Sequence, residues 1–190
     1  MFFSFQGPSF TKEPHPFTLC NHPKDSHISI LVKNRGDFTR SLHQHLKVGD
    51  LVHLDGPYGR FDYTKMGQPQ IWVAGGIGIA PFIAWTKHLT ATKHLNTIDL
   101  FYCVHKKEDA VFLDAFHRIS KEFPQFHISL FCSEENQRLT AKRIQESSSA
   151  FHESSILMCG PKRMTYDLYK QFRHLGVQRK NIIFEDFEFF

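Results

Sequence analysis

The stretch Ile71-Trp72-Val73-Ala74-Gly75-Gly76-Ile77-Gly78-Ile79-Ala80-Pro81 constrains this chain more than any other. Four largely apolar residues run into a glycine cluster, and a helix-like segment over 82–89 follows. The pattern is that of a buried strand, a tight turn and a helix start. Glycines let the backbone come close to a ligand, and the free N–H groups at a helix start favour an anion such as a pyrophosphate. Pro81 suits the first helical turn, where its missing N–H costs nothing. A purely structural strand–helix turn has the same composition, so the rest of the chain decides between the two.

A length of 190 residues fits one large domain or two small ones. The balance of 41% hydrophobic and 22% charged residues is that of a folded chain. A net charge of +4 without any Lys/Arg run argues against nucleic acid. It is compatible with phosphate-bearing cofactors or an anionic membrane surface. Cys20, Cys103, Cys132 and Cys159 form no C-x-x-C pair. This speaks against a zinc ribbon or a plant-type iron–sulfur cluster and reads as reduced thiols in a cytosolic setting. No metal site is expected, because pairs such as His43/His45 lack a ligand set. No apolar stretch approaches the ~18 residues of a membrane span.

The first third reads as short strands with tight turns. The segment 2–5 has strand composition and Gly7-Pro8 breaks it. In 15–18, Pro16 keeps His15 extended, and alternation puts His15 and Phe17 on one face, Pro16 and Thr18 on the other. A second strand is expected over 27–33, rich in β-branched residues. After the turn at 34–37, Asp37 or Thr39 is expected to cap a short helix over 40–46, again leaving N–H groups for an anion. Lys33 and Arg35 add positive charge at that turn, which as a solvated basic turn would look the same. A strand over 51–55 and a turn over 56–59 complete a small antiparallel barrel. A chain that begins inside a strand, with no strand before it to pair with, is expected to be shortened. The linker is placed at 65–69, dividing the chain into 1–66 and 67–190.

The second part alternates strands and helices. Strands are expected over 71–74, Ile98–Val104, 126–131, 155–159 and 182–184. Helices are expected over 82–92, 110–123, 140–146 (Thr140 as cap) and 164–175, with Gly176 closing the last. This rhythm implies a parallel sheet with right-handed crossovers, and ligands in such sheets bind at the carboxyl ends of the strands.

Five motifs occur in order: H-P-F-T at 15–18, G-D-F-T-R at 36–40, D-G-P-Y-G at 55–59, G-G-I-G-I-A-P at 75–81 and C-G-P at 159–161. With them the chain resembles the ferredoxin–NADP reductase superfamily, and H-P-F-T resembles its ferric reductase/NADPH oxidase branch. The resemblance implies a partial antiparallel β-barrel that binds FAD, followed by an α/β Rossmann-like parallel-sheet domain that binds NADPH or NADH. It implies that His15, Pro16 and Phe17 line the flavin site and that Thr18 hydrogen-bonds the ring near its reactive nitrogen. Leu31, Val32 and Lys33 would run beside the flavin, and Gly36, Asp37, Phe38 and Thr39 would hold its pyrophosphate. Gly75, Gly76, Gly78 and Pro81 would form the dinucleotide turn. Cys159, Gly160 and Pro161 would lie near the nicotinamide, and the aromatic residue that stacks on the flavin would be Phe187, with Phe189 or Phe190 as alternatives. Ser133 fits a 2′-phosphate position with Arg138 nearby, but Glu134 stands where an arginine would mark NADP, so the choice of nucleotide stays open.

The resemblance further implies hydride transfer from NAD(P)H to FAD and single-electron transfer onward. The acceptor would be haem, ferric iron or oxygen, with a haem-bearing membrane partner. A soluble reductase serving an oxygenase or an iron–sulfur carrier is the alternative. A third reading is a truncated, non-catalytic nucleotide-binding remnant. The expected location is the cytoplasm or the cytoplasmic face of a membrane.

Overall fold

The structure, a computed structural model, describes residues 1–7, 9–92 and 97–186. The chain separates into two compact units, Met1–Arg60 and Phe61–Phe190.

In the first unit, β1 (Phe2–Phe5) lies between β2 (His15–Pro16) and β3 (Val52–Asp55) in an antiparallel sheet of order β2-β1-β3. Alternation along β1 turns Phe3 and Phe5 inward. They form a core with Leu42, against which Phe10, Phe17, Leu19, Ile30, Val32 and Phe38 pack. Leu42 belongs to α1 (Asp37–His45), which follows the extended Gly36. The helix begins earlier than expected, and Gly36 is its cap. Thr39 instead reaches back from the first turn: its Oγ1 accepts from the N–H groups of Arg35 at 2.9 Å and Gly36 at 3.0 Å and donates to the Gly36 carbonyl at 3.1 Å. The strand expected over 27–33 is reduced to a single bridge, Leu19–Ile30, with Cys20 N–H bonded to the Ser29 carbonyl at 2.8 Å. The Ser29 N–H goes to Asn21 Oδ1 at 2.9 Å, a side chain supplying the acceptor that a ladder would otherwise supply.

The second unit is a parallel sheet of β4 (Gln70–Gly75), β5 (Ile98–Val104), β6 (Phe126–Cys132), β7 (Ser155–Gly160) and β8 (Ile182–Asp186), in the order β6-β5-β4-β7-β8. Helices α2 (Ala80–Thr92), α3 (Leu113–Glu122), α4 (Ala141–Ser147) and α5 (Lys162–His174) connect the strands. β4 is buried throughout, and its two faces serve two cores. Ile71 and Val73 join Ile144, Ile156, Met158, Leu168 and Phe172 on one face. Trp72 on the other meets Phe82 at 5.4 Å and Trp85 at 5.2 Å between ring centroids. From Ile71 to Ala74 each residue of this doubly covered strand is apolar, which is why the sequence shows a continuous run there rather than alternation.

The unit starts at Phe61, ahead of the division expected at 66/67. The Phe61 and Tyr63 rings lie 4.8 and 5.2 Å from Trp85. A chain of hydrogen bonds fixes them further. Tyr63 OH meets His88 Nδ1 at 2.8 Å, Gln70 Nε2 donates to the Tyr63 carbonyl at 2.8 Å, and Trp72 Nε1 donates to Gln70 Oε1 at 2.8 Å. α3 starts later than the expected 110 because Phe112 is left-handed, with φ of 63°. α5 starts earlier than the expected 164, directly after Pro161. Thr140 caps α4 by accepting from Arg143 N–H at 3.2 Å, and Gly176, with φ of +87°, ends α5 as expected. Among the described residues no helix is long and apolar enough to cross a membrane.

Candidate nucleotide and flavin sites

β4 and β7 are neighbours in the middle of the parallel sheet, with Ala74 paired to Cys159. Chain connections run outward in both directions from this pair, so it is the topological switch point, where a crevice opens at the carboxyl ends. Gly75 ends β4. A 3₁₀ turn over Gly76–Ile79 leads directly into α2, with the buried Pro81 in its first turn.

The glycines of this turn do different work. A Cβ on Gly78 would collide with the carbonyl of Cys159 and lie 2.8 Å from the Gly160 nitrogen. A Cβ on Gly75 would lie 2.6 Å from Met164 Cε and 2.8 Å from Pro161 Cδ, and one on Gly160 would lie 2.8 Å from Met164 Cε and 2.9 Å from Gly75 Cα. Gly75, Gly78 and Gly160 therefore close the ends of β4 and β7 onto each other and onto Met164 of α5. Gly76 differs: its φ is +53° and a Cβ there would meet nothing within 4 Å. The turn is thus rigid behind and open at Gly76, which fits a dinucleotide's pyrophosphate laid on free backbone N–H groups. Cys159 is fully buried at the end of β7, and Pro161 is exposed just beyond it.

Ser133 and Arg138 lie beyond β6. Ser133 opens a 3₁₀ turn, Ser133–Glu135, and its hydroxyl is 3.1 Å from His105 Nδ1. Arg138 pairs with Asp167 of α5 at 3.3 Å. Two residues that sequence reasoning did not assign stand beside them: His105 and Lys106 follow β5, with Lys106 Nζ 3.6 Å from Glu134 Oε1. Their signal was positional, since both follow a predicted strand end. Met164 was missed too, because a methionine at a helix start carries no motif. Below this rim, burial and the Cys132 thiol push the Cys103 thiol up to about 12. Burial and then Glu135, Glu108 and Glu134 push the Cys132 thiol up, with Lys107 acting in the opposite sense. These thiols stay protonated and are not nucleophiles.

In the first unit, His15, Pro16, Phe17 and Thr18 are all half-buried. The His15 ring stacks on Phe38, centroids 3.4 Å apart, its Nε2 is 3.2 Å from Thr11 Oγ1, and burial, opposed by Glu13, lowers its pKa. Phe17 packs edge-on to Phe3 at 5.7 Å, and the Thr18 hydroxyl has no hydrogen-bond partner among the described residues. Leu31 and Val32 are half-buried, and Lys33 and Arg35 are exposed and make no ion pair among the described residues. The first N–H groups of α1, those of Asp37, Phe38 and Thr39, have no acceptor within the helix, and a Cβ on Gly36 would meet nothing within 4 Å. A helix start, an open glycine and two cations at one turn fit an anion such as a flavin's pyrophosphate. Phe187, Phe189 and Phe190 lie outside the described residues.

Comparison with known proteins agrees with both halves. Residues 72–170 match the family model "Oxidoreductase NAD-binding domain", and residues 1–62 match "FAD-binding domain". The toluate 1,2-dioxygenase electron transfer component of Pseudomonas putida is 28% identical over 90% of this chain and 53% of its own length. The propane 2-monooxygenase reductase component of Mycolicibacterium goodii is 28% identical over 81% of this chain and 49% of its own. The chain thus spans about half the length of these curated relatives. The flavohem-like FAD/NAD-binding domain of nitric oxide dioxygenase from Vibrio cholerae superposes with a TM-score of 0.82 at 18% identity, over 98% of this chain and 83% of that one. With an FAD-binding domain ahead of an oxidoreductase NAD-binding domain, and with the strand order and glycine turn that go with them, the chain belongs to the ferredoxin–NADP reductase superfamily.

Proposed function

We propose that the chain is the FAD- and nucleotide-binding part of an electron-transfer enzyme, accepting a hydride from NADH or NADPH and passing electrons singly to haem, ferric iron or oxygen. The observation that carries this is the junction of the open Gly76 turn with the end of β7, where Cys159 and Gly160 are held against Gly78 and Gly75. FAD, when bound, supplies the exchange between a two-electron donor and one-electron acceptors. The protein supplies positions. The N–H groups of Asp37, Phe38 and Thr39, with Gly36 open beside them, hold the flavin's pyrophosphate. Thr18 offers its unpartnered hydroxyl to the ring, and His15, Pro16, Phe17, Leu31, Val32 and Lys33 border it. Gly75, Gly76, Gly78 and Pro81 carry the dinucleotide's phosphates, and Cys159, Gly160 and Pro161 flank the nicotinamide. Ser133 and Arg138 stand at the adenosine end. Cys159 acts as a small, buried wall there. The enzyme works in the cytoplasm or at the cytoplasmic face of a membrane that holds its haem partner.

The test is anaerobic addition of NADH or NADPH to the purified, FAD-loaded chain, followed by absorbance near about 450 nm, where oxidised flavin absorbs. Bleaching by either nucleotide is expected. Retained flavin with no bleaching by either overturns the reading. A second reading, a reductase component for an oxygenase or iron–sulfur carrier, draws support from the electron-transfer and reductase components among the relatives. Comparing reoxidation by ferric citrate, oxygen and a ferredoxin separates the two, the second requiring the ferredoxin to be fastest.

A further inference from the structure

The carboxyl ends of β5 and β6 form a charged rim next to the proposed dinucleotide turn. In a doubly wound sheet the first strand–helix turn takes the pyrophosphate, and the adenosine ribose falls near the neighbouring strand ends. A carboxylate there accepts a hydrogen bond from a ribose 2′-hydroxyl, whereas a 2′-phosphate requires an available cation. Two cations of this rim, Lys106 and Arg138, are engaged. Lys106 Nζ is 3.6 Å from Glu134 Oε1, and Arg138 is 3.3 Å from Asp167. Ser133 Oγ meets His105 Nδ1 at 3.1 Å. The Glu134 N–H donates to the His105 carbonyl at 3.1 Å and the Lys106 N–H to Asp109 Oδ2 at 3.3 Å, so the two strand ends are fixed to each other and Glu134 is held in place. Lys107 is exposed at the same end, but Glu108, Glu134 and Glu135 oppose it, and their summed field helps raise the Cys132 thiol.

We propose that Glu134, oriented by Lys106, selects a dinucleotide with a free ribose 2′-hydroxyl, making the chain's donor NADH rather than NADPH. The inference rests on the dinucleotide-binding reading of these strand ends. The Lys106–Glu134 pair is about half exposed on both sides, so its own stability is small. Selection comes from the sign of charge presented to the ligand: a 2′-phosphate would have to displace Glu134 from Lys106 while facing Glu135.

The experiment is calorimetric titration of the full chain with ADP-ribose and with 2′-phospho-ADP-ribose, in wild type, Glu134→Gln and Glu134→Arg. Neither ligand carries a hydride, so binding is read apart from redox activity. The wild type is expected to bind ADP-ribose at least about tenfold more tightly, as for a like-charge clash at a binding site. Glu134→Gln narrows the ratio and Glu134→Arg reverses it. Equal or tighter wild-type binding of the phosphorylated ligand overturns the proposal. So does a ratio that moves less than about twofold in both variants, or failure of both ligands to bind. A chain that shows the selectivity but leaves bound flavin unbleached by NADH keeps the selection and loses the hydride-transfer reading.

Discussion

Gly76 and Gly78 stand two positions apart in one turn and need glycine for opposite reasons. Gly78 has backbone in the way of any Cβ, from Cys159 and Gly160, which cannot yield as a flexible side-chain tip could. Gly76 has space around it but a left-handed backbone. Alanine at Gly76 therefore meets only the conformational cost of that region, about 1–2 kcal/mol. Alanine at Gly78 must push the ends of β4 and β7 apart, an overpacking cost of about 1–3 kcal/mol or more. Urea denaturation of the two variants should rank Gly78→Ala as the more destabilised. Nucleotide affinity should fall in both, but Gly76→Ala should lose affinity out of proportion to its stability, because its Cβ enters the open side of the turn. The sequence revealed that this turn was special, since three glycines between a buried run and a proline are hard to read otherwise. It did not reveal which glycine is closed in and which is open, because that depends on Met164 and Cys159, residues 81 or more positions away in the chain.

At the scale of elements, local chemistry that acts within a few residues was legible and chemistry across the chain was not. Thr140 capping α4, Pro81 opening α2 and Gly176 closing α5 each follow from their own neighbourhood. The strand expected over 27–33 did not form, because β-branched composition says nothing of what its N–H groups will meet, and Asn21 took one of them. Thr39 is a test of the local kind. Its hydroxyl makes three hydrogen bonds to the segment entering α1. Thr39→Val should fray that entry at about 1–2 kcal/mol, the usual worth of a helix cap. It should also weaken FAD binding by fluorescence titration, while Thr39→Ser retains both. Tyr63 is a test of the non-local kind, tying the segment before β4 to α2 through His88. Burial, then Asp62, pushes its phenol from 10.0 up to about 12. A phenol is charged when deprotonated, so the folded state holds its proton where the unfolded state releases it. The contribution is therefore complete below pH 10 and is lost as pH rises from 10 toward about 12. Tyr63→Phe should lower stability by about 1 kcal/mol near neutral pH. It should also flatten this alkaline decline in denaturant midpoints, and an unchanged alkaline slope would remove Tyr63 as its source.

At the scale of the whole molecule, the rhythm of alternating strands and helices announced the parallel sheet, because crossover connections leave few topologies open. The place where the units divide was less legible. Pro and Gly at 67–69 look like a linker by composition, yet Phe61 and Tyr63, upstream of them, are held by rings and hydrogen bonds to Trp85, His88 and Gln70. Aromatic residues in a short polar stretch carry no mark of which core they will join. The second unit has its own core: the cluster from Ile71 to Ile182 lies wholly within it, as does the aromatic group around Trp72. A fragment beginning at residue 61 should therefore fold alone, with a single cooperative thermal transition, and should bind ADP-ribose with the affinity of the full chain while retaining no FAD. A fragment beginning at residue 67 lacks Phe61 and Tyr63. It exposes the Trp72–Trp85 face and leaves Gln70, almost fully buried, without the Tyr63 carbonyl it donates to. Unpairing a buried donor costs about 1–3 kcal/mol, before the loss of ring packing is counted. The shorter fragment should melt at lower temperature and bind hydrophobic dye. Equal melting of the two would mean that the 61–66 segment is merely attached to this unit and contributes nothing to its stability.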